Sequence, residues 1–372
     1  MNKSLFRKRI GALRQRLAVL SPDTMWIIQP ENRRYLSGFR AEDAQLTESS
    51  GSLLINQQQC ILVTDSRYTL EAEKEAIDFE VVTTKQGLTE DFPWIVNRMG
   101  TKKLGFEEDH LTYGIYRQLT DELGALLPPV ELEPLKGLIE EMREVKDGQE
   151  IKALEASADL MSEILDQVIA GLRPGLTEKE LAWQIDGLAR EAGAESLAFS
   201  PIVASGPNSA LPHAVPTDRK LGMKEPIIFD VGVRLDTYRS DMTRTVFLGR
   251  PSPDFRKIYR TVRKAQLTAI EQIRPGVESN QPDRIARQVI RDAGFGDYFG
   301  HALGHGVGLA THERPRLAPQ KPVKLKKGMV VTVEPGIYIP GKGGVRLEEM
   351  VVIEENGPRI LTKNDRFYDF TS

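Results

Sequence analysis

The second half of this chain is most constrained by a repeat, in which one string of local signals occurs twice at an offset of about a hundred residues. An apolar helical stretch ends at Leu172-Arg173-Pro174-Gly175 and another at Ile273-Arg274-Pro275-Gly276. Proline lacks the amide donor a helix needs, and glycine takes the left-handed turn that side chains resist, so each string reads as a helix stop. A new helix follows each stop. The first opens with a capping box, Thr177 with Glu180, and continues through Leu181, Trp183, Ile185 and Leu188; the second runs through Ile285, Val289 and Ile290. They end alike, in Ala192-Gly193 and Ala293-Gly294. Each half then reaches a strand pair: Pro226 to Gly232 with a return through Leu248, and Met329 to Pro335 with a return through Ile353. Two similar halves imply an internal pseudo-twofold, and a site at their junction would draw side chains from both.

The first part of the chain reads differently. Apolar runs at Thr24–Ile28, Ser52–Ile55, Ile61–Thr64 and Lys103–Phe106 alternate with helical segments, the pattern of an α/β domain. Pro128-Pro129 and Pro134 read as a linker, which places the boundary at Leu135 and gives domains of residues 1–134 and 135–372. A length of 372 residues accommodates two such domains, at roughly 100–200 residues each. The second domain, with its helix pairs followed by strand pairs, is of the α+β class.

Charge excludes some partners. Lys+Arg 50 against Asp+Glu 53 leaves a net charge of −3, too small a field to gather nucleic acid or an anionic membrane. The basic start, Met1 to Ile10, alternates apolar and charged residues through Leu20, so it reads as a surface amphipathic helix and not as a signal peptide. Cys60 is the one cysteine, set in the apolar run Cys60-Ile61-Leu62-Val63; it excludes an intramolecular disulfide, reads as core, and suits the cytoplasm.

The strand pairs carry the chemistry. The most polar tight spot of the first hairpin is Arg234-Leu235-Asp236-Thr237, and a turn centred between Leu235 and Asp236 makes Asp230 and Asp241 direct cross-strand neighbours, with Cβ atoms about 4.5–5.5 Å apart. The same arithmetic across Gly341 sets Glu334 against Glu348. Asp230 and Glu334 interrupt β-rich apolar runs, where an unpaired charge costs several kcal/mol to bury. A divalent metal between the carboxylates removes that cost; an ion-paired core is the alternative. Three of the five histidines crowd into Gly300 to His312. His301 and His305 stand four apart, but Ala302 occupies the position where the zinc-protease helix needs glutamate, and Gly304, Gly306 and Gly308 oppose a helix. The segment reads as a glycine-rich strand that lets His305 approach the site closely. Four carboxylates and an imidazole form a hard, oxygen-rich set that suits two bridged ions, Mn²⁺ or Co²⁺ first, with Fe²⁺ or Zn²⁺ as alternatives. Two ions about 3.5–4 Å apart lower the pKa of a water between them and polarise the reacting group.

These residues also resemble the prolidase and aminopeptidase P group of metallopeptidases, which share the pita-bread fold with methionine aminopeptidase and creatinase. The likeness lies in five motifs, in order: Phe229-Asp230-Val231-Gly232, Tyr238 to Thr245 around Asp241, Gly304-His305-Gly306-Val307-Gly308, Val333-Glu334-Pro335-Gly336, and Gly344 to Glu349 around Glu348. Glu31 to Phe39 and Thr64 to Tyr68 are similar, more weakly, to the group's N-terminal domain. The resemblance implies that Asp230 binds one metal and His305 with Glu334 the other, that Asp241 and Glu348 bridge them, and that Glu334 is also the general base. It implies that His213, His301 and His312 bind substrate and stabilise the tetrahedral intermediate, and that Arg346 orients ligands or substrate. The implied substrate is a small peptide with proline at position 2, and the implied assembly a homodimer. Proline makes a tertiary amide without the N–H that general peptidases bind, so its bond calls for a dedicated pocket. Glu349 departs from the group's usual aspartate. Three alternatives stand beside this reading: a creatinase-like, metal-free C–N hydrolase, a hydrolase of other amides, and a non-catalytic peptide-binding module. The first and third would not need all five ligands.

Overall fold

The computed structural model describes residues 3–43, 45, 48–85 and 88–370, so Met1 and Asn2 of the basic start lie outside the described residues. The chain forms two compact units, Met1–Met142 and Arg143–Ser372. The first holds a six-stranded sheet made of β1 (Thr24–Ile27), β2 (Ser52–Ile55), β3 (Cys60–Thr64), β4 (Glu80–Thr83), β5 (Lys103–Glu107) and β6 (Glu131–Leu135), in the order β4-β3-β2-β1-β5-β6. The inner strands match the four apolar runs. The unexpected strands, β4 and β6, are the two edges, where one side lacks a neighbour and a partly exposed sequence such as Glu131-Leu132-Glu133-Pro134-Leu135 is tolerated. Pro134 therefore lies within an edge strand and not in a linker. This moves the expected boundary: β6 pairs with β5 from Lys103↔Glu131 to Glu107↔Leu135, and Asn32 Nδ2 donates to Glu140 Oε1 at 2.6 Å, so the chain stays with the first unit to Met142. The initial helix, Lys3–Leu17, buries Ile10, Leu13 and Leu17.

In the second unit the repeat is physical. Helices Gly148–Ala170 and Glu178–Glu191 pack on β9 (Pro226–Val231) and β12 (Met242–Phe247), joined in sheet order β12-β9-β8 by β8 (Ile202–Ser205). Helices Pro253–Ile270 and Asn280–Asp292 pack on β15 (Val330–Val333) and β18 (Glu349–Glu354), in a sheet with β13 (Gly304–Gly306), β14 (Glu313–Leu317) and β19 (Gly357–Ile360). Each half closes its own apolar core, Leu181 and Ile185 against Phe229 and Val231 in one, Ala286 and Ile290 against Val331 and Val333 in the other. The helix stops also match. Gly193 and Gly294 have φ of 90° and 86°, and in both the following amide reaches back to the helix, Ala194 to Ala189 O at 2.9 Å and Phe295 to Ile290 O at 3.0 Å.

Both ligand-bearing hairpins break beside the acidic residues. After β9 the first continues as β10 (Val233–Leu235) and β11 (Tyr238–Arg239), with β7 (Ser196–Leu197) alongside; after β15 the second continues as β16 (Gly336–Ile339) and β17 (Gly343–Arg346). The strands stay in register through the breaks.

Candidate metal centre

Register decides which carboxylates meet. In the second hairpin Val333 pairs with Glu349 and Gly336 with Arg346, so Glu334 stands directly opposite Glu348, as the sequence arithmetic expects. The first hairpin differs by one residue. Asp230 pairs with Thr243 and Leu235 with Tyr238, which centres the turn on Asp236-Thr237 instead of Leu235-Asp236. The cause is local: Asp236 and Thr237 adopt φ of 45° and 70°, the conformation of a two-residue hairpin turn that matches strand twist, and aspartate accepts it readily. Asp241 is therefore a diagonal neighbour of Asp230 on the same face, not a direct one.

Among the described residues, Asp241, His305 and Glu348 offer ligand atoms that all lie within 4.8 Å of one another. Glu334 joins them, with Oε1 3.5 Å from His305 Nε2; Asp241 Oδ2 lies 3.7 Å from the same nitrogen. His305 Nδ1 is 3.0 Å from the carbonyl of Gly306, and since a carbonyl only accepts, Nδ1 carries the proton and Nε2 presents its lone pair. Nε2 has no proton of its own to give to the carboxyls of Asp241 and Glu334. A cation at that point satisfies all of them, and the backbone bond on the other ring nitrogen is the arrangement that orients an imidazole ligand. The residues thus fit a metal. Burial holds His305 neutral, with its pKa down to about 4.

The carboxylates make the same case. Burial first, then the charges of Asp230 and Glu334, pushes Asp241 well above the ordinary range, and burial with Asp241 and Glu334 does the same to Glu348. Burial lifts Glu334 to about 8, against the pull of Arg346 and with a push from Asp230. Asp230 and Glu334 both lie outside the three-residue cluster, and Asp230 differs further in that its Oδ2 is ion-paired to Arg346 Nη2.

Arg346, almost fully buried, organises the wall. Its Nε donates to Thr243 Oγ1 at 3.1 Å, and Thr243 donates to Glu348 Oε2 at 2.8 Å; its Nη1 donates to Tyr338 OH at 2.9 Å and to Pro212 O at 3.1 Å. His301 spends both ring nitrogens on protein: Nδ1 donates to Ala302 O at 2.8 Å, and Nε2 accepts from Tyr338 OH at 2.9 Å. Burial lowers its pKa to about 4. The ring of His312 lies edge-on to His305, 4.3 Å between centroids. His213 is exposed. Glu349 pairs with buried Arg244 at 3.1 Å.

Sequence reasoning missed Thr243, Tyr338 and Arg316, the last set opposite His305 in the β13–β14 pairing. It also missed three buried carboxylates that secure the histidine loops. Glu178 accepts from Ser205, Asn208 and Thr217 on either side of His213; Asp283 anchors Arg287, which donates to His301 O at 2.9 Å; Glu313 follows His312. Only the helix-start position of Glu178, beside the capping Thr177, gave any signal.

The fold and centre define a metal-dependent hydrolase. A model of metallopeptidase family M24 matches residues 152–355, and one of the creatinase/prolidase N-terminal domain matches residues 9–145. An Xaa-Pro dipeptidase of Pyrococcus furiosus is 36% identical, over 93% of this chain and 95% of that protein. Among solved structures, the Xaa-Pro dipeptidase from Bacillus anthracis superposes with a TM-score of 0.90 at 35% identity, covering 96% of this chain and 98% of that one. The X-Pro aminopeptidase from Thermotoga maritima does so at 0.84 and 35%, covering 94% and 97%. The chain belongs to metallopeptidase family M24, with the pita-bread fold preceded by a creatinase-type N-terminal domain.

Proposed function

We propose that this protein hydrolyses the Xaa-Pro bond of short peptides at a dinuclear centre held by Asp230, Asp241, His305, Glu334 and Glu348. The observation that carries the reading is the convergence of His305 Nε2 with the carboxyl oxygens of Asp241, at 3.7 Å, and Glu334, at 3.5 Å, while the other ring nitrogen meets the Gly306 carbonyl. Two bound divalent ions would supply an ionised water near neutral pH and polarise the scissile carbonyl. The protein's own groups then divide the remaining work. Glu334, hydrogen-bonded from Thr332 Oγ1 at 3.3 Å, takes up and passes on the proton. His312 donates a hydrogen bond to the developing oxyanion, His213 contacts substrate from its exposed loop, and His301 holds Tyr338 and with it Arg346. Arg346 keeps Asp230 and, through Thr243, Glu348 in place.

A dipeptidase and an aminopeptidase share this scaffold at the same identity, so peptide length is chosen within the site. An Xaa-Pro dipeptide carries its free carboxylate directly beyond the proline. Arg316, exposed across the strand from His305, is a cation that can meet it, which favours dipeptides. The oxygen-rich donor set favours Mn²⁺ or Co²⁺ over Zn²⁺ or Fe²⁺. A homodimer follows from the family resemblance, and the single cysteine fits the cytoplasm.

The test compares an Xaa-Pro dipeptide with an Xaa-Pro-Xaa tripeptide, using metal-stripped protein with Mn²⁺, Co²⁺, Fe²⁺ or Zn²⁺ restored. Metal-restored cleavage that prefers the dipeptide, with Arg316→Ala raising KM for that substrate alone, is expected. Stoichiometric metal binding with neither peptide cleaved would overturn the proline assignment.

A further inference from the structure

Glu313 is no ligand, yet it is among the most tightly held carboxylates in the catalytic unit. Its side chain is 6% exposed, and those of its partners Arg143 and Lys146 are 4% and 1% exposed. Arg143 Nη2 donates to Oε1, Lys146 Nζ donates to Oε2 at 3.0 Å, and the amide of Ala310 donates to Oε1 at 2.9 Å. Burial alone would favour the neutral acid, but the two cations and the amide hold the carboxyl down at about 2. Burying three ionised side chains costs desolvation that their mutual attraction only partly returns, so stability is a weak reason for such a cluster.

The loop itself suggests what the cluster does. The Ala310 bond closes the chain back on itself between Gly308 and Glu313, with the Gly308 amide donating to Ala310 O at 3.0 Å. A Cβ on Gly308 would lie 2.5 Å from Glu313 Oε2, so glycine there leaves room for the carboxylate beneath the loop. From the other side Arg239 fastens the same segment, its amide donating to Gly308 O at 2.9 Å and its Nη1 to Leu309 O at 2.7 Å. Two residues remain between these fixed points and Glu313: Thr311, whose hydroxyl donates to Ala198 O at 3.2 Å, and His312, edge-on to His305.

We infer that Glu313, gripped by Arg143 and Lys146, is a positioning residue that sets the His312 ring against His305. It rests on the proposed hydrolytic role of His312 for its kinetic consequence, but not for its structural one. Unlike the two other histidine-loop carboxylates, Glu313 is adjacent in sequence to the side chain it sets, so its displacement is transmitted through one peptide unit.

The structural consequence can be read without turnover. In ¹⁵N-labelled, metal-stripped protein, side-chain nitrogen spectra report five histidines, with His312 assigned by the signal lost in His312→Gln. Two variants disturb the carboxylate differently: Glu313→Gln removes its charge, and Gly308→Ala keeps the charge but occupies its place. Both are expected to move the His312 and His305 signals and to leave His110, in the other unit, unchanged. In Mn²⁺-loaded enzyme with an Xaa-Pro dipeptide, kcat should fall about 100-fold, the cost of misplacing a reacting group by about 1 Å, with KM changed less than about threefold. If Glu313→Gln does not fold, Gly308→Ala decides alone. Unmoved His312 and His305 signals overturn the inference, as does a general collapse of all five signals in both variants, which would make Glu313 a support of the whole fold. Moved ring signals in a protein whose parent cleaves no Xaa-Pro bond would leave the positioning role standing and remove only the substrate assignment.

Discussion

Thr243 shows how much of the centre depends on residues that bind nothing directly. Its hydroxyl is fully buried, accepts from Arg346 Nε and donates to Glu348 Oε2. Thr243→Val keeps the shape and removes both bonds, so Mn²⁺ affinity should weaken about 10–100-fold, the range for partners that orient metal ligands; a calorimetric titration with unchanged affinity would refute the coupling. The ligands themselves predict a pH dependence. Burial and mutual repulsion leave Asp241 and Glu348 protonated far above their ordinary range, and Glu334 up to about 8. A metal needs these groups ionised, so its entry at pH 7 must expel protons, and apparent affinity should rise as pH rises through about 8, where Glu334 ionises. In the metal-stripped fold Glu334 binds its proton more tightly than in the unfolded chain, so its own contribution to stability is full below 4.5 and is lost as pH rises towards 8, while the lowered pKa values of His301 and His305 act in the opposite sense. Titrations in buffers of different ionisation enthalpy measure the expelled protons directly. Of the five proposed ligands, Asp230 and Glu334 stood out because a charge inside a β-rich apolar run needs a reason, Asp241 and Glu348 because they lie across a hairpin from those two, and His305 because it sits in a glycine-rich histidine cluster. Thr243, Tyr338 and Glu313 were not, because a threonine, a tyrosine after an Ile, and a glutamate after a His are unremarkable until the fold surrounds them.

At the scale of elements, sequence reading succeeded where burial is two-sided and failed where it is not. The inner strands β1, β2, β3 and β5 are continuous apolar runs, whereas edge strands β4 and β6 borrow their pairing from one neighbour and look like loops. Hairpin register was legible around Gly341, where the glycines mark the turn, and one residue out around Asp236-Thr237, where positive φ falls on residues that do not advertise it. Period-two alternation limited the damage: moving the turn centre by one residue changed the partner of Asp230 and kept both aspartates on one face. The glycines of the histidine segment mark close strand approach. A Cβ on Gly304 would lie 2.0 Å from the carbonyl of Thr332, the residue whose hydroxyl supports Glu334 and accepts from the His305 amide. Gly304→Ala must push β13 from β15, at a cost of about 1–3 kcal/mol as overpacking. Urea unfolding should show that loss, accompanied by weaker metal binding because His305 moves with its strand. A variant destabilised to this extent with full metal affinity would separate the glycine from the site.

For the molecule as a whole, the decisive asymmetry is that all five proposed ligands and the three other histidines proposed for the site belong to Arg143–Ser372, while Met1–Met142 closes a core of its own around Trp26, Leu54 and Phe92. A ligand stabilises only the cooperative unit whose unfolding destroys its site. At a free Mn²⁺ concentration 100 times Kd the gain is about 2.7 kcal/mol, which for a unit of roughly 200 residues raises Tm by about 5–10 °C. Scanning calorimetry of metal-stripped and Mn²⁺-loaded protein should therefore resolve two transitions, of which one rises on loading and the other stays. Removing a ligand, as in Asp241→Asn, should abolish the rise without moving the second transition. If a single transition rises instead, the two units unfold as one body, and the stability supplied by the centre reaches the first unit through whatever joins them. The repeat inside the catalytic unit sharpens the expectation, because its two cores, around Phe229 and Val331, each carry one of the hairpins that hold the proposed ligands. Metal binding should couple the halves into one transition even though each packs its own helices.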